Sequence, residues 1–335
     1  MAQNEYIPLE LYRPIVEVSD RNTLLSLLLA SRHLSTEAER MLYRNVQWSS
    51  DSDVVSRKLF FQTVIDYPRV ARLVRRYYCF SNIFIADDDP YWTLFSTALR
   101  ALVNLKELGF RRRGGTPTAH VLRGCTFQLV SLEWLCRTDE NELSVFLTGQ
   151  EALERLRVYW REECAGPPAS ALQNLTSLGE ISSTIRTFLP GRTITRLRWQ
   201  PNFDEPLPNI IASISSALHN LRVLALFGPD KILSLSAIVD YLPNLRFLEL
   251  MGHRDTDLLY IHRLPHLEGL VISMSPWSEK PCQDLVIRLY SESRSLLFIE
   301  IEVDGNSFPR EYQRWYRDSM EPVQGVGIQQ WGLVW

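Results

Sequence analysis

Residues Leu242 to Leu250 read LPNLRFLEL, with leucine at the first, fourth, seventh and ninth places. That spacing is too regular for one helical face and too sparse for plain strand alternation, so it marks a short strand entered from a fixed turn. One such unit cannot cover its own apolar edge. Neighbouring copies must stack so that their leucines form one continuous core, and the rest of the chain supplies those copies.

Reading outward, the anchor residues of successive strand units are Val70, Leu105, Leu132, Leu153, Leu175, Ile194, Leu221, Leu245, Leu267 and Leu296. Their spacing falls mostly at about 20–30 residues, which resembles the leucine-rich repeat. Segments with helical spacing lie between them, at Tyr91 to Leu102, Asn209 to Leu218, Leu233 to Tyr241 and Asp284 to Tyr290. Asparagine recurs just before an anchor, at Asn104, Asn174, Asn220 and Asn244, where the chain turns into a strand. The fold class expected is α/β: a curved solenoid over residues 48–303, with parallel strands inside and helices outside.

Composition narrows the function. The formal charge of −3 over 335 residues gives no overall pull towards nucleic acid or anionic membranes, and neither is expected as a partner. The opening Met1 to Glu5 lacks a basic leader, and the apolar run near Leu24 to Ala30 is too short to span a bilayer, so the expected location is cytoplasmic or nuclear. Five scattered cysteines without a CxxC pair indicate neither a zinc site nor a disulfide framework, and no metal or cofactor is expected. Four lysines stand against thirty-two arginines. Codon composition and a surface kept clear of lysine are both accounts of that imbalance.

Residues 1–47 read as a separate module of three short helices. Pro8 opens the first, with Pro14 forcing a kink or a late start near Tyr12. Asp20 caps the second, through Ser31, and Thr36 with Glu39 has capping-box spacing for a third, through about Tyr43. The second helix is apolar nearly all round, with Leu24, Leu27 and Leu28 on one face and Leu25 and Leu29 on the other. Forty residues cannot bury such a helix alone, so it packs on the repeats, on a second protein, or on both.

The stretch IPLELYRPIVEVSDRNTLLSLLLASRHLSTEAERMLYRNV resembles an F-box, and more closely the F-box-like modules that precede leucine-rich repeats in mushroom-forming fungi. Pro8 and Glu10 match the opening motif, Ile15 lies beyond it, Asp20 precedes the leucine helix, Ser31-Arg32 follows it, and Leu42-Tyr43 precedes Val46. Ile7 and His33 depart from the common pattern. The resemblance implies docking on a Skp-type adaptor, and through it a cullin, with contacts at Pro8, Leu11, Ile15, Leu24, Leu28 and Arg32. It also implies a substrate-recognition subunit of a Skp-cullin-F-box type ubiquitin ligase that holds a client protein on its repeats.

The client face follows from the period of two. If Leu248 and Leu250 point inward, Phe247 and Glu249 point out, and the same phase exposes Arg155, Arg157, Tyr159, Arg196, Arg198 and Phe227. Basic side chains gather in the middle repeats and acidic ones, Glu300 and Glu302 among them, near the end. The arginine pairs suit a carboxylate- or phosphate-bearing segment of a client; the competing account is that neighbouring Arg and Glu balance each other. Residues 304–335 stop repeating and are dense in aromatics (Phe308, Tyr312, Trp315, Tyr316, Trp331, Trp335), which suits a segment that caps the last repeat or, alternatively, an aromatic client pocket.

Asp87-Asp88-Asp89-Pro90 lacks the further oxygen ligands of a calcium loop and reads as a turn. No dinucleotide fingerprint, Walker loop or nucleophile elbow appears, so the chain reads as non-catalytic. A leucine-rich-repeat scaffold with no ligase role is the alternative function.

Overall fold

A computed structural model describes residues 8–48, 54–80, 85–112, 117–201, 207–228, 233–252, 255–273, 283–303 and 311–325. The chain divides into two compact units, Met1–Phe146 and Leu147–Trp335.

The first unit begins with helices α1 (Leu9–Val18), α2 (Arg21–Ala30) and α3 (Arg32–Arg44). Pro14 lies inside α1 rather than at its start, because a ten-residue helix tolerates losing one internal bond when its outer face is solvated. Asp20 caps α2 as expected, its carboxylate accepting from the Thr23 backbone N–H at 2.8 Å. The third helix starts four residues before Thr36. Ser31 supplies its cap by accepting from the Leu34 N–H, and Thr36 instead donates back to the Arg32 carbonyl within the helix. Either hydroxyl has the chemistry to cap; Ser31 wins because the chain is extended there, as a cap requires.

Strands β1 (Asn45–Trp48), β2 (Arg76–Phe80), β3 (Glu107–Arg111) and β4 (Ser131–Leu135) then form a parallel ladder. The repeat sheet thus starts at Asn45, directly after α3. Helices α4 (Val54–Asp66), α5 (Pro68–Ala71) and α6 (Tyr91–Ala101), and a 3-10 turn at Ala119–Leu122, connect the strands. Two anchors differ from the expected ones. Val70 is wound into α5, and Val74 takes its place three residues before the core tyrosine Tyr77; likewise Leu129, not Leu132, precedes β4 at anchor spacing. The acidic turn is structural: Asp87 pairs with Arg112 at 2.7 Å, and Asp89 accepts from the Tyr91 N–H at 2.7 Å.

Helix α7 (Glu140–Thr148) leads into the second unit, where β5 (Arg155–Val158), β6 (Ser177–Glu180), β7 (Arg196–Trp199), β8 (Val223–Phe227), β9 (Phe247–Met251), β10 (Gly269–Ser273) and β11 (Phe298–Glu302) pair in parallel and in sequence order. Helices α8 (Ser182–Phe188), α9 (Leu207–Leu218), α10 (Asp255–Leu258) and α11 (Gln283–Glu292) connect them. The segment from Leu233 to Tyr241, expected as a helix, forms two 3-10 turns. Asp257 holds the first turn by accepting from the Leu235 N–H (2.8 Å) and the Ser234 hydroxyl (2.7 Å). Parallel strands whose leucines interlock from repeat to repeat, with helical returns, make this a leucine-rich-repeat fold.

Register explains the spacing of the opening motif. Leu156, Leu178, Leu197, Leu224, Leu248, Leu270 and Ile299 lie opposite one another along one buried row, and the anchors Leu153, Leu175, Ile194, Leu221, Leu245, Leu267 and Leu296 are buried beside it. The recurrent asparagines stitch the turns together. Asn104, Asn174 and Asn244 each donate to a carbonyl one repeat earlier, of Arg72, Glu151 and His219, at 2.8–2.9 Å. The last described strands reverse direction: β12 (Tyr312–Tyr316) runs antiparallel to β11, and β13 (Ser319–Gly325) antiparallel to β12.

Candidate functional site

The three-helix module has a small core of Val16, Leu24 and Ala38, with Leu27, Leu28, Leu34, Met41 and Leu42 packed around it. That core uses one face of α2 and leaves the opposite face bare. Leu25 is 48% exposed and Leu29 is 91% exposed, one helical turn apart, so they form a stripe. Helix α1 shows a second stripe at Leu11 (50%), Ile15 (36%) and Val18 (86%). Five large apolar side chains in one small module exceed the scattered exposure of an ordinary surface.

The expected adaptor residues divide accordingly. Pro8, Leu11, Ile15 and Arg32 are exposed, whereas Leu28 is half-buried against the core and Leu24 belongs to the core itself. Leu24 therefore holds the helix in place and offers no side chain to a partner. Val18, Leu25 and Leu29 were not among the expected contacts. The signal for Leu25 and Leu29 is the apolar circumference of α2, but the sequence alone does not say which side the module covers for itself. Polar contacts brace the helices beneath: Glu17 accepts from Arg13 within α1 (2.9 Å) and from Arg40 of α3 (3.3 Å), and Arg69 grips Glu39 with two guanidinium nitrogens. The Arg13 bond, reinforced by that of Arg40, pulls the Glu17 carboxyl below the usual glutamate range.

On the non-core face of the second unit, two rows contain most of the expected client residues. One runs Arg155, Ser177, Arg196, Val223, Phe247, Gly269, Phe298; the next runs Arg157, Gly179, Arg198, Ala225, Glu249, Val271, Glu300. Arg155, Arg157, Tyr159, Arg196, Arg198, Phe227 and Phe247 are half-buried there. Arg157 pairs with buried Glu180, and the Arg198 guanidinium lies 4.0 Å from the Phe227 ring centroid. The acidic residues expected near the C-terminal end are covered. Glu249, Glu300 and Glu302 are buried, Arg314 of β12 closes on Glu300, and the Ser273 hydroxyl lies 3.3 Å from Glu249 and 3.1 Å from the Tyr312 hydroxyl. The period of two puts these carboxylates on the non-core face; the hairpin that covers them could not be read from it. Phe308, Trp331 and Trp335 lie outside the described residues.

Among the described residues, no group of three or more His, Cys, Asp or Glu side chains is placed to hold a metal ion, and no helix is long and apolar enough to cross a membrane. Burial pushes the Cys125 and Cys136 thiols up to about 12. Thiols held in that state are poor nucleophiles at neutral pH.

No family model and no curated protein matches the sequence. Among solved structures, the chain is similar to internalin C2 from Listeria monocytogenes, at 14% identity and a TM-score of 0.32, covering 73% of this chain and 91% of that one. It is also similar to a chain from the yeast Rad7 and Elc1 complex, at 16% identity and a TM-score of 0.38, covering 73% of this chain and 67% of that one. At those scores the fold assignment rests on the parallel ladders of this chain and not on the two likenesses.

Proposed function

We propose that this chain is a non-catalytic substrate receptor of a Skp-cullin-F-box type ubiquitin ligase, with the three-helix module docking on a Skp-type adaptor and the repeats binding a client protein. The observation that carries this reading is the bare apolar surface of α1 and α2 on a module whose opposite side already has a core. A helix that buries Leu24 and presents Leu25 and Leu29 has a use for both faces: one for folding, one for a partner. The adaptor brings the cullin, and the client is held near the ubiquitin-charged enzyme, so the receptor contributes proximity. Two of its four lysines are engaged internally, Lys58 with Asp89 and Lys106 with the Gln128 carbonyl, which suits a chain that sits beside a ubiquitin donor.

Co-expression of the full chain with a Skp-type adaptor, followed by size-exclusion chromatography, tests the reading. The wild type should co-elute with the adaptor. The double variant Leu25→Glu/Leu29→Glu should lose it while keeping the wild-type circular dichroism spectrum and melting temperature, since both side chains point away from the core. A wild-type chain that captures clients and ignores the adaptor would be a repeat scaffold with no ligase role.

A further inference from the structure

A groove of about 700 Å³ crosses the edge of the second unit where the chain enters β8, β9, β10 and β11. Asn220 and Arg222, Asn244 and Arg246, His266 and Glu268, then Ser295 and Leu297 line it, so the same two places in four consecutive repeats build it, with Pro265 beside them. Strand spacing sets its length: four strands span roughly 14 Å, about four residues of extended peptide.

Its charge is unbalanced in a specific way. The single carboxylate in the lining, Glu268, is held by Arg246 at 2.7 Å, and the Asn244 amide is committed to the His219 carbonyl. Arg222 makes no ion pair among the described residues, and neither Asn220 nor His266 has a side-chain hydrogen bond there. One guanidinium and one amide, Arg222 and Asn220, therefore stand at the β8 end of the groove with their donors unspent, and the His266 imidazole lies two strands further along. At the other end, Leu297 stands largely exposed next to Pro265. An oxyanion fits the first end and an apolar side chain the second.

We propose that this groove binds a short extended acidic peptide segment, with a carboxylate on Arg222 and an apolar residue against Leu297. The site lies apart from the arginine rows and does not depend on the adaptor reading, because it is tested on the full chain alone. Fluorescence anisotropy with a labelled peptide of three glutamates and one leucine is the measurement. Arg222→Glu should weaken binding by about tenfold or more, the loss of one charge-assisted contact. Leu297→Ser should weaken it about threefold. Arg72→Glu, an exposed arginine of the first unit, should leave it unchanged, as should the melting temperature of all three variants. Equal binding by wild type and Arg222→Glu, or no saturation at millimolar peptide, overturns the proposal. So does full displacement by millimolar inorganic phosphate together with indifference to Leu297→Ser, which would mark a free-anion site.

Discussion

Single side chains do two kinds of work in these repeats, and the buried aspartates show the first. Asp139 accepts from the Thr118 N–H and hydroxyl, the Ala119 N–H and the Trp134 indole, and Asp257 serves the turn at Ser234–Leu235 in the same manner. Each carboxylate caps a turn some twenty residues earlier in the chain, so it ties one repeat to its neighbour. Removing it strands several buried donors. Asp139→Ala should therefore cost about 3–5 kcal/mol in chemical denaturation, well above the ~1 kcal/mol expected for an ordinary surface cap. Arg314 is the second kind, a cation held against Glu300, which is fully buried. Arg314→Ala should cost a comparable ~3–5 kcal/mol, because it removes the guanidinium that faces a buried carboxylate. Thiol chemistry gives a third expectation: Cys125 and Cys136, pushed up to about 12, should react with a disulfide reagent at pH 7.5 only as the protein unfolds.

At the scale of one element, the sequence was read well where a pattern had a single physical solution. LPNLRFLEL could be placed because its leucines have to meet those of neighbouring repeats, and the cap at Asp20 could be placed from local chemistry. It was read less well where two solutions were close in energy. Ser31 and Thr36 both suit a cap, and the sequence does not say which one the chain's extended turn selects. The difference is measurable: Ser31→Ala should cost about 1 kcal/mol and fray the start of α3, while Thr36→Ala should change stability by only a few tenths. Acid should act on the neighbouring helix. The Thr23 N–H lowers the Asp20 carboxyl below the usual aspartate range, so its support of α2 is in place above that range and is lost as pH falls through the lowered value. Helicity of the Asp20→Asn variant, followed by circular dichroism, should lack that dependence. Strand β10 adds a packing case. A methyl group on Gly269 would collide with the Phe298 ring and come within 2.9 Å of the Phe247 ring, so Gly269→Ala should destabilise by about 1–3 kcal/mol, seen as a lower denaturation midpoint.

For the molecule as a whole, repeat class and the direction of the strands were legible in the spacing of leucines alone. Which face of α2 stays bare was legible only in part, because a leucine-rich helix announces apolar surface on all sides without saying which half of its circumference the module covers. The non-core face of the repeats was the hardest to read. Its arginines and glutamates are visible in the sequence, but the partners that engage them come from other strands and from the hairpin β12–β13. That hairpin has a consequence for how such a chain changes over generations. A stack of parallel strands offers its last edge to one more repeat, so a duplicated segment can be added there without disturbing what came before. Reversing the polarity with β12 removes that docking edge, and Arg314 and Tyr312 fasten the reversal to β10 and β11. A duplicated repeat of the same parallel kind is therefore more easily accommodated upstream of β11 than on the hairpin.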